Sequence, residues 1–364
     1  MNQTTTQQKR PKAEKRVTIY EIAKRAGCSA MTVSRALMPR KKSNDRISPE
    51  TLEQIRALAS EMGYKPNLAA RGLILRKTMN VGFHINQQFS YYNPLHFPIL
   101  RRLQHELEKA GYHLGFYYFK AGDLKELQKF VQPPRLVDAL IVLGRNLSPE
   151  EAATIVASGV PRLALFEALE DFHSLVIDDF HGGRLAARFL HERGFRKVTL
   201  LAYWVREERW NGRIFGFMEE AKKLGMEVSE MKDFYDPHYD LPYAWRSGKV
   251  AADLLKKLRA RGEAGRCLFI NSDSFARAVA DYLESHGVKP GGEISVLGYD
   301  DAEELEFPPT LCGPPRLTTI SRPRVDIGLR AASLIVNETL SDRNEAFLPS
   351  LVVRETVGHP LTPA

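Results

Sequence analysis

The chain has 364 residues, 43% of them hydrophobic, and a formal net charge of +8, which suits two or three packed globular domains and excludes a fibrous or largely disordered chain. No stretch approaches the roughly 20 consecutive apolar residues of a membrane-spanning helix, and the opening MNQTTTQQKRPKAEKR has no apolar segment behind it, so a cytoplasmic protein with no membrane partner is expected. Residues 1–76 hold sixteen of the 52 Lys and Arg but only six of the 44 Asp and Glu, a net +10 that leaves −2 for the rest; a compact basic module on a near-neutral body fits a phosphate-backbone binder joined to a unit with another task.

Residues 1–16 read as a flexible basic tail. In TIYEIAKRAGCSAMTVSRAL, residues 18–37, the apolar positions Ile19, Ile22, Ala23 and Ala26 recur at helical spacing until Gly27 stops them. Thr18 with Glu21 three residues on forms a capping box. Ser29 caps a second helix whose inward positions are Val33, Ala36 and Leu37, leaving Ala30, Met31, Thr32, Ser34 and Arg35 wholly or partly outward. Two short helices across a tight glycine turn make a helix-turn-helix. A third helix is predicted over 48–62, opening with Ser48, Pro49 and Glu50. The basic stretch MPRKKSNDR before it reads as a solvated loop, with a phosphate clamp as the alternative.

The segment VTIYEIAKRAGCSAMTVSRAL resembles the opening of LacI-family repressors, nearly completing the pattern T-I-x-x-[IV]-A-x-x-A-G-x-S-x-x-T-V-S-R-x-L. Cys28 departs from it, standing where a small aliphatic residue is usual. The resemblance assigns residues 17–64 to a DNA-binding domain whose second helix enters the major groove with its N-terminal residues at base edges. Ala30 and Met31 are then the sequence readers, and both suit thymine methyl groups. Thr18, Tyr20, Ser29, Thr32, Ser34, Arg35 and Arg46 would mainly position the phosphate backbone or touch base edges nearby. The run from Gly63 to Leu73, GYKPNLAARGL, is similar to the family hinge G-Y-x-P-N-x-x-A-x-x-L, which makes residues 65–78 a hinge helix and linker. At about two turns that helix is too short to stand alone in water. It would form on DNA, contacting it through Asn67, Ala70 and Leu73, the last matching a leucine wedge that opens a base step in the minor groove. Such reading calls for a homodimer on a double-stranded, pseudo-palindromic operator.

From Met79 onward apolar runs (VGFHI, YHLGFYYF, VDALIVLG, VPRLALF) alternate with amphipathic stretches, and the alternation restarts near His181 with KVTLLAYW, CLFIN and ISVLGYD. This predicts α/β structure with parallel sheets in two similar lobes. Val176 to Asp179 with Gly182 and Gly183, RIFGF from Arg213, ISVLGYDD from Ile294, LTTI from Leu317 and LVVRET ending at Thr356 resemble the LacI family and the related periplasmic sugar-binding proteins. The fold class that follows is an all-α helix-turn-helix and hinge helix, then a two-lobed periplasmic-binding-protein-like α/β domain. The resemblance makes 79–356 an effector-binding and dimerisation domain, with an N-lobe of about 79–177 plus 303–321 and a C-lobe of about 178–302 plus 322–356. Asp179, where Asn is commoner, and the long segment DFYDPHYDLPYAW over 233–245 depart from the pattern.

In open α/β sheets ligands sit in the crevice at the carboxyl ends of the strands. Asp273 follows the strand CLFIN, Asp300 follows ISVLGY, and Arg213 opens a helix facing them. A guanidinium and a carboxylate there match vicinal hydroxyls or a charged small molecule; a turn cap for Asp300 and an exposed helix charge for Arg213 are the plainer readings. Tyr92, Phe234, Tyr235 and Trp245 could stack on a sugar ring. Cys28, Cys267 and Cys312 are too widely spaced for a disulfide framework or a zinc site. The histidines, among them His84, His96, His181 and His286, are scattered and expected on strand ends or helix surfaces. No P-loop, GxGxxG after a strand or HExxH occurs, and the SxxK at Ser229 stands alone, so no metal, no cofactor and no enzymatic activity are expected. The function expected is a sequence-specific DNA-binding transcriptional regulator whose operator affinity is controlled by a small molecule, a carbohydrate or sugar derivative, with a nucleobase or nucleoside as the alternative. A solute-binding protein or an enzyme fits less well.

Overall fold

The structure is a computed structural model that describes residues 17–37, 47–64, 77–85, 94–120, 123–144, 147–202, 211–231, 250–302 and 316–360. The chain divides into two compact units between Lys77 and Thr78. The first holds helices α1 (Ile19–Ala26), α2 (Ala30–Leu37) and α3 (Pro49–Glu61). Glu21 accepts the Thr18 backbone N–H at 2.8 Å while Thr18 Oγ1 accepts that of Glu21, the expected capping box. Gly27 ends α1 at φ 63°, a left-handed conformation that costs glycine no Cβ clash. Ile22, Ala23, Val33, Ala36, Ile55 and Ala59 form the buried core, and half-buried Cys28 packs against it in place of an aliphatic residue.

The second unit carries β1 (Asn80–Ile85), α4 (Phe97–Lys109), β2 (His113–Tyr118), α5 (Leu124–Val131), β3 (Ala139–Leu143), α6 (Pro149–Ala157), β4 (Arg162–Phe166) and β5 (His173–Ile177). There follow α7 (Asp179–Glu192), β6 (Lys197–Leu201), α8 (Gly212–Lys223), β7 (Glu227–Glu230), α9 (Leu254–Ala260), β8 (Cys267–Ile270), α10 (Asp273–Ser285), β9 (Ser295–Asp300), β10 (Thr318–Ser321), α11 (Arg324–Val336), β11 (Asn344–Phe347) and β12 (Ser350–Val352). One sheet runs β11-β5-β4-β3-β1-β2 and the other β12-β10-β9-β8-β6-β7. Every pairing is parallel except that of β10 with β12. The central strands β3 and β8 are buried along their length, as parallel strands covered on both faces must be.

The chain passes between the sheets at 177–179, at 321–324 and at 347–350. These crossings correct the expected lobe boundaries. β10 pairs with β9 in the second sheet, so residues 318–321 do not belong to the first lobe. α11 packs on α4, with Gly328 against the Ile99 carbonyl, and β11 pairs with β5, so both belong to the first lobe and not the second. Periodicity identifies a strand or a helix, but the sheet it joins is set by short crossings that leave no periodic trace. His84 lies near the end of β1, as expected, but its ring is buried and stacked on Phe119, and burial pushes its pKa down to about 4.

Helices α7 and α8 meet at backbone contact. A Cβ on Gly183 would collide with the Arg213 carbonyl, and one on Gly216 with the Phe180 carbonyl. This pair of glycines seats the start of α8, and with it Arg213, against α7. Gly183→Ala and Gly216→Ala are expected to lose about 1–3 kcal/mol each, because a methyl group must push two helix backbones apart. Urea unfolding followed by circular dichroism tests this, and an unchanged midpoint for both variants would refute backbone contact at the crossing.

Candidate functional site

In the first unit the surface of α1 and α2 carries the residues expected to meet DNA. Tyr20 is 72% exposed and Met31 64% exposed, large apolar groups with no core to enter. Met31 and Arg35 are four residues apart, both exposed and on one face of α2. Ala30, Thr32 and Ser34 are half-buried beside them. Ser29 Oγ accepts the Thr32 N–H at 3.0 Å and lies 2.9 Å from the Thr32 hydroxyl, so both side chains close the N-terminus of α2. Thr18 does the same for α1. Arg46, Asn67, Ala70 and Leu73 lie outside the described residues, as do Tyr92, Phe234, Tyr235, Trp245 and Cys312.

In the second unit the carboxyl ends of β5, β9 and β10 bring charged groups together around Arg213. Its Nη1 donates to the Asn271 carbonyl at 2.6 Å and to both oxygens of Asp300 at 3.3 Å; its Nη2 donates to Asp179 at 3.4 Å. The guanidinium lies 4.0 Å from the centroid of the Tyr299 ring, and the Tyr299 hydroxyl donates to Asp179 at 3.0 Å. Burial works against the Arg213 charge, but Asp300 and Asp179 reverse it and raise its pKa. Burial likewise opposes ionisation of Asp179, and Arg322 with Arg213 overcome it, so its pKa is lowered. With its side chain 14% exposed, Arg213 is no surface helix charge.

Asp300 and Asp301 adopt φ 121° and 54°, a strained turn for residues with a Cβ. Asp273 holds that turn. One of its oxygens accepts the Ala302 N–H at 2.9 Å and the other the Thr319 hydroxyl at 2.7 Å, and the residue is wholly buried. The expected place of Asp273 among effector contacts thus gives way to positioning Asp300, because both of its oxygens are already taken. Burial, with Asp300 adding to it, raises its pKa to about 7. Arg354 Nη2 donates to Asp301 at 2.8 Å and steadies the turn from the other side.

Sequence reasoning passed over three contributors. Arg322 approaches Asp179 at 3.6 Å and Asp300 at 3.8 Å, and Arg324 approaches Asp300 at 3.9 Å. Both follow the strand from Thr318 to Ser321, so the same carboxyl-end rule that selected Asp300 would have found them. Phe166 ends β4 at φ 72°, with its ring stacked on His96 at 5.4 Å and under the Arg322 guanidinium at 5.6 Å. A bulky residue with positive φ at a strand end is a local sign of a built site, but it is visible only in the folded chain.

Two family models match: "Bacterial regulatory proteins, lacI family" over residues 18–67 and "Periplasmic binding protein-like domain" over residues 187–357. The HTH-type transcriptional repressor PurR of Pectobacterium carotovorum is 25% identical over 354 residues, covering 94% of this chain and 97% of that protein. The HTH-type transcriptional regulator CelR of Thermobifida fusca is 26% identical over 349 residues, covering 94% and 96%. Among solved structures, the Lac repressor dimer bound to operator and the anti-inducer ONPF superposes with a TM-score of 0.60 at 21% identity, covering 94% of this chain and 99% of the other. A CelR–cellobiose complex gives 0.57 at 24%, covering 94% and 100%.

The Asp273 carboxyl makes stability depend on pH. The folded state keeps a proton up to about pH 7, whereas the unfolded chain releases it near the ordinary 3.8. Stability therefore falls as pH rises between those values and levels off above them. Asn at 273 can accept the Ala302 N–H with its Oδ1 and donate to the Thr319 hydroxyl with its Nδ2, without the charge, so Asp273→Asn is expected to flatten the slope and to gain roughly 2–4 kcal/mol on the native protein between pH 4 and pH 8. Calorimetric unfolding across that range checks it; parallel curves for the two proteins would remove Asp273 as the titrating group.

Proposed function

We propose that the chain, whose residues 18–67 match the lacI-family model and 187–357 the periplasmic-binding-protein-like model, is a LacI-family DNA-binding transcriptional regulator that works as a homodimeric repressor, its hold on a pseudo-palindromic operator set by a sugar or sugar derivative in the crevice around Arg213 and Asp300. The observation that carries this is the pairing of a buried, multiply bonded guanidinium with a strained carboxylate at the carboxyl ends of the strands. Donor and acceptor stand side by side, as vicinal hydroxyls require. The likeness to a CelR regulator held with cellobiose supports the sugar reading. The flat ring of Phe166 also admits the nucleobase or nucleoside alternative, since a planar base stacks on it as readily as a sugar ring.

Met31 and Ala30 read bases, while Arg35 and the hydroxyl residues around it hold phosphates. We read the crevice as one that binds its ligand without converting it, as the likeness to transcriptional regulators supports. Work on DNA is the ground for our reading of the protein as cytoplasmic; among the described residues no helix is long and apolar enough to cross a membrane.

Two measurements test this reading. Operator affinity should fall steeply with salt, since each phosphate neutralised releases counterions; fluorescence anisotropy between 50 and 200 mM salt, roughly the range over which such losses are large, would give a flat line if the basic unit did not grip the backbone. Arg213→Met and Asp300→Asn should keep operator affinity yet lose at least about tenfold in effector affinity, the worth of one charge-assisted hydrogen bond or more. Arg213→Met should also destabilise the second unit by about 3–5 kcal/mol, because Asp179 and Asp300 lose their buried partner. Variants that fold and still respond at native effector concentrations would move the site elsewhere.

A further inference from the structure

Around Arg213 the arginines outnumber the aspartates free to meet them. Asp178 caps α7, accepting the His181 N–H at 2.7 Å, and Asp301 is bonded to Arg354. Asp273 spends both oxygens on Ala302 and Thr319, and its burial favours the uncharged form. Asp179 and Asp300 remain, shared among Arg213, Arg322 and Arg324. Arg213 takes the hydrogen bonds; Arg322 and Arg324 stand at 3.6–3.9 Å, close enough for charge attraction but too long to bond.

The unsatisfied donors are specific. Among the described residues Nε of Arg322 and Nη2 of Arg324 are shut off from solvent and have no hydrogen-bond partner, and the Arg324 side chain is only 7% exposed. A buried guanidinium with an unmet N–H is costly unless something accepts from it. Arg324 is also the first residue of α11, a 13-residue helix with no side-chain cap at its N-terminus. That is the positive end of the helix dipole, where a cation is disfavoured and an anion welcome. Burial and neighbouring Arg322 accordingly lower the Arg324 pKa.

Resting on the reading of this crevice as the effector site, we infer that the effector is an acidic sugar derivative whose carboxylate or phosphate is held by Arg322 and Arg324 at the N-terminus of α11, while Arg213 and Asp300 hold its hydroxyls. The anion completes the bonding that Asp179 and Asp300 are too few to supply. It also bears on closure of the crevice. Arg322 lies on the crossing between β10 of the second sheet and α11 of the first lobe, and its guanidinium reaches Asp179 at the head of α7 as well as the Phe166 ring at the end of β4. A bound anion is thereby gripped from both lobes at once.

The test is calorimetry of the full chain with a panel of hexoses and pentoses, each offered neutral, as its sugar acid and as its phosphate monoester. The expected result is an acidic form, carboxylate or phosphate, bound at least about tenfold more tightly than its neutral parent. In Arg322→Gln and in Arg324→Gln the ratio of acid to neutral affinity should shrink about tenfold or more. The two acid arms tell which anion fits. Neutral sugars binding as well as their acids would overturn the inference and leave the proposed function standing. Binding of no sugar in any form would overturn both, and an acid preference untouched by either substitution would remove Arg322 and Arg324 as its source.

Discussion

The second unit is organised around one buried cation. The Arg213 guanidinium faces Asp300 at the end of β9, Asp179 at the head of α7 and the Asn271 carbonyl after β8, and it stacks on Tyr299. No single partner would repay its removal from water; the set does so because the charge is met on several sides. Everything that fixes those partners therefore bears on the site. The glycine contacts between α7 and α8 seat the backbone of Arg213, and Asp273 from α10 holds the turn that presents Asp300. Gly298 belongs to the same arrangement, since a Cβ there would strike the Asp273 carboxylate.

What could be read from the chain beforehand follows the range of the interactions involved. The three helices of the first unit are written in local code: Thr18 with Glu21, Ser29 with Thr32, Ser48 with Pro49, and Gly27 at the left-handed stop all act within a few residues. Arg213 and Asp300 were legible because the carboxyl ends of parallel strands are where such folds hold ligands. Lobe membership was not, because β10 and α11 are separated by a crossing of only a few residues that carries no periodicity. Nor was the role of Asp179. Its partners Tyr299, Arg213 and Arg322 lie 120, 34 and 143 positions away, distances over which a residue pattern has nothing to say.

Asp179 and Asp273 show how two aspartates of the same crevice come to differ. Asp179 faces two guanidiniums and a phenol and stays charged despite its burial. Asp273 receives only a backbone N–H and a hydroxyl, with the Asp300 carboxylate nearby, and tends toward the acid form. The first is an electrostatic member of the site and the second a structural one. Residue type alone does not separate these roles; the number of positive neighbours does.

The three passages of the chain between the sheets, at 177–179, 321–324 and 347–350, have a mechanical consequence. Two bodies joined by a single covalent strand can swivel freely, and joined by two they can swing like a door. A third strand, if not in line with the others, removes much of that freedom and leaves small rocking and twisting motions in which no passage is stretched. Two of the three passages also carry groups of the crevice: Asp179 ends the first and Arg322 lies within the second. Crevice and linkage thus share the same backbone, so a force applied at these groups is delivered at the fulcrum and emerges as a change of angle.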